Sequence, residues 1–118
     1  QDATGQSPRW FRAPYGVRWF GLRAVQKEFG LTGVMWTVIG RDWELDGDQV
    51  AARLLNGSAN GAILCLHDGR ELQVNPDVRS TLKAVRRIVP DLLDRGFRLV
   101  TLTELLCQQT SPVASLES

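Results

Sequence analysis

Residues 61–69 read Gly-Ala-Ile-Leu-Cys-Leu-His-Asp-Gly, and the fold of the whole chain turns on them. The middle of the stretch, 62–66, is a short unbroken apolar run closed by a polar loop. Such a run marks a strand covered on both faces. It ends on His67, the only histidine of the chain, beside Asp68. A strand buried on both sides belongs to a parallel sheet flanked by helices, and sheets of that kind carry their chemistry at the carboxyl ends of the strands.

Working outward, the same signal recurs. Residues 33–39 (GVMWTVI) form a second continuous apolar run rich in β-branched and aromatic side chains, and 97–102 (FRLVTL) form another. Residues 9–12 (RWFR) are a short aromatic strand broken by Pro14 and Gly16. Helical spacing lies between these runs. Over 17–29 the apolar positions are Trp19, Phe20, Leu22, Val25 and Phe29, stopped by Gly30. Asp46 or Asp48 caps the next helix, with Val50, Leu54 and Leu55 on its apolar face, and Gly57 and Gly61 bracket the turn that follows. A longer helix is predicted over about 77–95, with the stripe Val78, Leu82, Val85, Val89, Leu92 and Leu93. Pro90 is expected to kink or split it, and Gly96 to end it. Thr103 is expected to cap a last short helix running through Leu106. The alternation predicts an α/β chain of four consecutive β-α units with parallel strands, body at 1–107 and polar tail at 108–118. Trp10, Trp19 and Trp36 are expected in its core.

Composition narrows the function. The 118 residues suffice for one domain, and 43% apolar with 23% charged residues is ordinary for a soluble globular protein. The net charge is +1, and the twelve arginines and two lysines form no basic stripe, which argues against nucleic acid as a partner. No stretch is long and apolar enough to cross a bilayer. Met35 is the only methionine and Gln1 is not a natural start, so the chain is expected to be the remainder of something longer. Cys65 and Cys107 lack zinc spacing and read as small buried hydrophobes, with a disulfide left open.

Each predicted strand is followed by polar residues. Arg12, Pro14, Tyr15 and Gly16 follow the first; Arg41, Asp42 and Trp43 the second; His67 and Asp68 the third. In a parallel arrangement these clusters share one rim, which predicts an acid–base site with an aromatic wall. His67 can hand over a proton near neutral pH, and a carboxylate such as Asp42 fixes its tautomer. Arg12 can clamp a carboxylate. The turn at Tyr15 can aim a backbone N–H at an oxyanion, and Trp43 offers a face for a sugar ring or an acyl methyl. Taken singly, each has a plainer role: a packed histidine, a turn, a solvated aspartate. Their recurrence at successive strand ends outweighs those.

The three clusters, in this order, resemble the polysaccharide deacetylases, the NodB-homology group or carbohydrate esterase family 4. RAPYG (12–16) is similar to that family's Arg-x-Pro-Tyr/Phe-Gly motif, IGRDW (39–43) to its Asp-x-x-Asp-Trp motif, and CLHD (65–68) to its Leu-x-His motif. The resemblance covers about 9–106. It implies the C-terminal half of a distorted (β/α)7-type barrel and a hydrolase removing N- or O-acetyl groups from carbohydrate. It also implies roles: His67 as general acid, Asp42 as its tuning partner, Arg12 as holder of the catalytic-base carboxylate, and the Tyr15 N–H at the oxyanion. Trp43 and Cys65 would line the acetyl pocket. Ile39 stands where the family's motif has its first aspartate, Ala13 where proline is frequent, and Cys65 where leucine is usual.

The family's paired aspartates and its His-x-x-x-His have no counterpart here, so the divalent metal (zinc or similar) that the resemblance implies has its ligands outside this chain. Implied partners are an acetylated polysaccharide or oligosaccharide and the N-terminal half of the barrel or a second copy of this chain. The implied location is the cell envelope or beyond. The competing expectation is a non-catalytic carbohydrate-binding or assembly domain derived from the same fold.

Overall fold

Parallel pairing is the first expectation met. In the computed structural model, which describes residues 4–69 and 72–108, Trp10–Phe11 (β1) pairs in parallel with Thr32–Gly33 (β2). Val38–Ile39 (β3) pairs in parallel with Leu64–Cys65 (β4). The run at 33–39, read as one strand, is therefore divided. Its first part answers to β1, with Thr32 N–H donating to Arg9 O (2.8 Å) and Val34 N–H to Phe11 O (2.8 Å). Its second part answers to the 61–69 stretch, with Thr37 N–H donating to Ile63 O (2.9 Å) and Gly40 N–H to Cys65 O (2.9 Å). A continuous apolar run cannot announce that its two ends have different partners.

The chain accordingly forms two compact units, one up to Trp36 and one from Thr37 onward. In the first, β1 leads into a 3-10 turn over Pro14–Gly16, then the helix Leu22–Glu28 (α1) and β2. The helix is shorter than the 17–29 predicted, because Gly21 takes φ 99°, a left-handed conformation that cannot continue a helical turn backwards. Trp19, expected in the core, is 57% exposed, and Phe20 and Phe29 also face outward. Among the described residues of this unit the buried apolar ones are Ala13 and Val34, while Trp10 and Trp36 are half-buried.

The second unit holds the hydrophobic core. The helix Gly47–Gly57 (α2) starts at Asp46, whose carboxylate accepts from the backbone N–H of Asp48 (2.8 Å) and Gln49 (3.1 Å) while Gln49 returns its side-chain oxygen to Asp46 N–H (3.2 Å). This reciprocal cap settles the choice between Asp46 and Asp48. Val50, Leu54 and Leu55 then point inward as predicted. They meet Ala84, Ile88 and Leu92 of the helix Arg79–Asp94 (α3), with Val38, Leu64 and Leu66 closing the layer from the strand side. The two helices come close because Gly47 lacks a side chain: a Cβ there would lie 2.6 Å from Lys83 Cβ.

Five expectations for the second unit are corrected. The buried stripe of α3 is Thr81, Ala84, Ile88 and Leu92, whereas Leu82, Val85 and Leu93 are exposed. The two stripes lie about 100° apart on the helix and share Leu92, which is buried as predicted, and Val89 packs against the core. The helix also runs through Pro90 as one element. Finally, 97–101 forms no strand. The Gly96 and Phe97 amides are spent closing α3, on Leu93 O and Leu92 O (both 2.9 Å), so the segment begins as a helix cap. Thr101, rather than Thr103, caps the last helix, Leu102–Gln108 (α4), through a reciprocal pair of bonds with Glu104. Cys65 is buried as expected, but Cys107 is exposed on α4. From 109 onward the predicted polar tail lies outside the described residues.

Candidate active site

The rim of the second unit begins with a turn forced by sequence. Gly40 follows β3 and sits where a Cβ would lie 2.7 Å from Leu66 Cδ2 and 3.4 Å from Cys65 O, so the two strand ends meet at van der Waals distance. The next residue, Arg41, adopts φ 57°, an uncommon conformation for a residue with a side chain. It is held there by Glu44 and Leu45 N–H groups on its carbonyl (both 3.0 Å) and by its own guanidinium on Glu44. The effect of this turn is to tuck Asp42 inward.

Asp42 is 1% exposed, and a carboxylate at that depth needs partners. It has them from two other elements. Oδ1 meets His67 Nδ1 at 2.8 Å; Oδ2 accepts from His67 backbone N–H at 2.8 Å and from the Thr81 hydroxyl at 2.5 Å. Burial by itself raises the Asp42 pKa. The bonds from the Thr81 hydroxyl, the His67 ring and the His67 amide outweigh that and hold the carboxyl below its ordinary 3.8. The group is thus an anion at neutral pH.

An anion facing Nδ1 determines the imidazole. Nδ1 must carry a proton to bond Asp42, which leaves Nε2 as the nitrogen that gains or gives one. The ring retains 39% side-chain exposure, and the Trp43 ring stands edge-on to it, centroids 5.1 Å apart at 81°. Trp43 itself is half open to solvent. The arrangement is a fixed proton donor and acceptor beside an aromatic wall. Cys65 is buried two residues before His67 on the same strand alternation.

Arg12 and Tyr15 stand on the first unit. Arg12 Nε donates to Val34 O (3.3 Å), and its guanidinium lies 5.7 Å over the Trp36 ring. Tyr15 is 90% exposed and sits in the 3-10 turn with φ 55°. An open groove of about 420 Å³ in this unit is lined by Phe11, Trp19, Phe20, Arg18 and Arg23 among others, and by none of the predicted site residues. The residue that sequence reasoning passed over is Thr81. Its signal was its place in line with Ala84 and Ile88, a polar residue in a stripe of small and apolar ones.

The described residues do not fit a metal ion. The one imidazole spends Nδ1 on Asp42, and among the described residues no three of His, Cys, Asp or Glu gather closely enough to hold a cation.

The second unit is thus an α/β scaffold that carries a bonded Asp–His pair at the ends of two parallel strands. Its relatives are specific. No family model matches the chain. It is 36% identical over 105 residues to a chitooligosaccharide deacetylase of Bradyrhizobium, covering 83% of this chain and 48% of that protein. It is 32% identical over 104 residues to a peptidoglycan-N-acetylglucosamine deacetylase of Bacillus cereus, covering 86% and 46%. Among solved structures, a CE4 family pseudoenzyme from Bacillus anthracis superposes with a TM-score of 0.75 at 28% identity, covering 89% of this chain and 34% of that one. The chain belongs to the polysaccharide deacetylases of carbohydrate esterase family 4, and the part of the domain it represents is the C-terminal half. It spans about half the length of the curated relatives it matches.

Proposed function

We propose that this chain supplies the acid side of a metal-dependent carbohydrate deacetylase whose metal ligands lie outside it, and that it is inactive alone. The observation that carries the reading is the two-point bond between Asp42 and His67, which fixes which ring nitrogen handles the proton. In hydrolysis of an N-acetyl group, water adds to the carbonyl carbon and the C–N bond breaks. His67 Nε2–H then gives its proton to the departing amine, while Asp42 stabilises the imidazolium and keeps the ring aimed. Trp43 and Cys65 would shape the acetyl pocket.

The test grafts this chain in place of the C-terminal half of the Bradyrhizobium relative and measures acetate release from an N-acetylated chitooligosaccharide. His67→Ala is expected to lower turnover by roughly 100-fold or more in the chimera. The chain alone, with zinc or cobalt added, should release none. Turnover by the isolated chain overturns the divided site, and a chimera indifferent to His67→Ala overturns the acid role.

A second reading has its own support. The neighbour from Bacillus anthracis is described as a pseudoenzyme, and a mutant of it has restored enzymatic activity. A carbohydrate-binding or assembly domain would keep the rim for contact alone. It predicts sugar-induced shifts at Trp43 and His67 in the isolated chain together with an inert chimera.

A further inference from the structure

The hydroxyl of Thr81 touches both members of the Asp–His pair and is itself buried. It lies 2.5 Å from Asp42 Oδ2 and 3.0 Å from the His67 carbonyl oxygen. A hydroxyl has one proton to give, and the ionised carboxylate is the stronger acceptor. Thr81 is in the first turn of α3, an element held by the core contacts with α2. Asp42, by contrast, sits in a loop, and its carboxylate can turn about the bond to Cβ unless its second oxygen is fixed.

We infer that Thr81 is a positioning residue: by anchoring Asp42 Oδ2 to α3 it keeps Oδ1 facing His67 Nδ1 and so selects the tautomer of the ring. The inference deepens the acid reading of His67, on which its catalytic meaning rests, but the geometry it concerns exists in the chain without substrate. The His67 amide also bonds Oδ2, yet it belongs to the same loop as the ring it would orient. The Thr81 bond ties the pair to a rigid helix. The chain of support therefore runs from the packed face of α3 through the hydroxyl to the carboxylate and then to the imidazole. A valine at 81 would fill the same space and break it.

The single histidine makes the test direct, because every imidazole nitrogen signal in the spectrum is that of His67. Long-range proton–nitrogen NMR of the 118-residue chain, at a pH where the ring is neutral, is expected to show the Nδ1–H tautomer, the form that a free histidine side chain disfavours. Thr81→Val is expected to move both nitrogen resonances toward the free-histidine mixture, and Thr81→Ser to restore the original pattern. A folded Thr81→Val chain with the unsubstituted pattern overturns the inference. Should the valine variant not fold, the unsubstituted chain still decides. The Thr81 hydroxyl proton is expected as a separate, slowly exchanging signal close to His67, and a hydroxyl exchanging at the solvent rate overturns the inference. Neither readout involves turnover, so failure of the acid role in the chimera and failure of the Thr81 anchor are separate results.

Discussion

The two units of this chain use apolar residues in opposite ways. From Thr37 onward, Val50, Leu54, Ala84, Ile88 and Leu92 close a core, and the buried polar atoms of Asp42 and Thr81 are bonded within it. Up to Trp36, the aromatic residues face outward, with Phe20 at 104% of its free exposure and Phe29 and Trp19 more than half exposed. Similar hydrophobic content thus yields a packed layer in one case and an open apolar face in the other. A helix of seven residues between two two-residue strands has too little surface to bury what it carries, whereas two long helices crossed over a strand pair do. The stability of the chain and the rigidity of the Asp–His pair therefore come from the same unit.

The largest effect that would break this contrast is in the core. Leu54→Ala removes a side chain with no exposure, and the loss is expected to be about 2–5 kcal/mol in urea unfolding followed by circular dichroism. Phe20→Ala, a larger truncation, is expected to change stability by only about 0.5 kcal/mol or less. Equal losses at the two positions would mean that the first unit is packed after all.

A smaller effect sharpens the link between core and site. Because bonds from Thr81 and His67 overcome the cost of burial, the folded-state pKa of Asp42 lies below its unfolded value. The stabilisation is therefore complete above the ordinary 3.8 and is lost as pH falls through the folded-state pKa. Asp42→Asn is expected to cost about 1–3 kcal/mol at pH 6–7. The gap to the unsubstituted chain should narrow once the pH drops below 3.8, when melting is compared across a pH series. A gap independent of pH would assign the loss to packing rather than to the charge. The smallest effect concerns the helix start: Asp46→Ala, which deletes the carboxylate half of the reciprocal cap and leaves the backbone N–H bond to Gln49, is expected to cost about 1 kcal/mol in the same unfolding assay.

The legibility of the site follows the range of the interactions that build it. His67, Asp42 and Trp43 announce themselves because each follows a buried run, and the parallel pairing of β3 with β4 puts the ends of those runs side by side. Thr81 does not, because its bond to Asp42 joins residues 39 apart and leaves no periodic trace. The stripe on α3 was misread for a related reason. Val78, Leu82, Val85 and Leu93 are more hydrophobic than Thr81 and Ala84, but the face that meets α2 is chosen by where Val50, Leu54 and Leu55 lie in space and not by hydrophobicity along α3.

The sequence by itself determined that the chain is built of helices and parallel strands, that its second helix starts at Asp46 or Asp48, and which polar residues follow the runs ending at Ile39 and Leu66. These are local matters of side-chain periodicity and of which groups a backbone end can bond. The tertiary structure alone decided that residues 33–39 serve two different partners and that 97–101 closes a helix instead of joining a sheet. It also decided which face of α3 is buried and that a threonine hydroxyl holds the Asp–His pair to that helix. Those outcomes depend on what each segment meets in space, and hydrogen bonds between distant residues are chosen by packing distance and not by sequence neighbours.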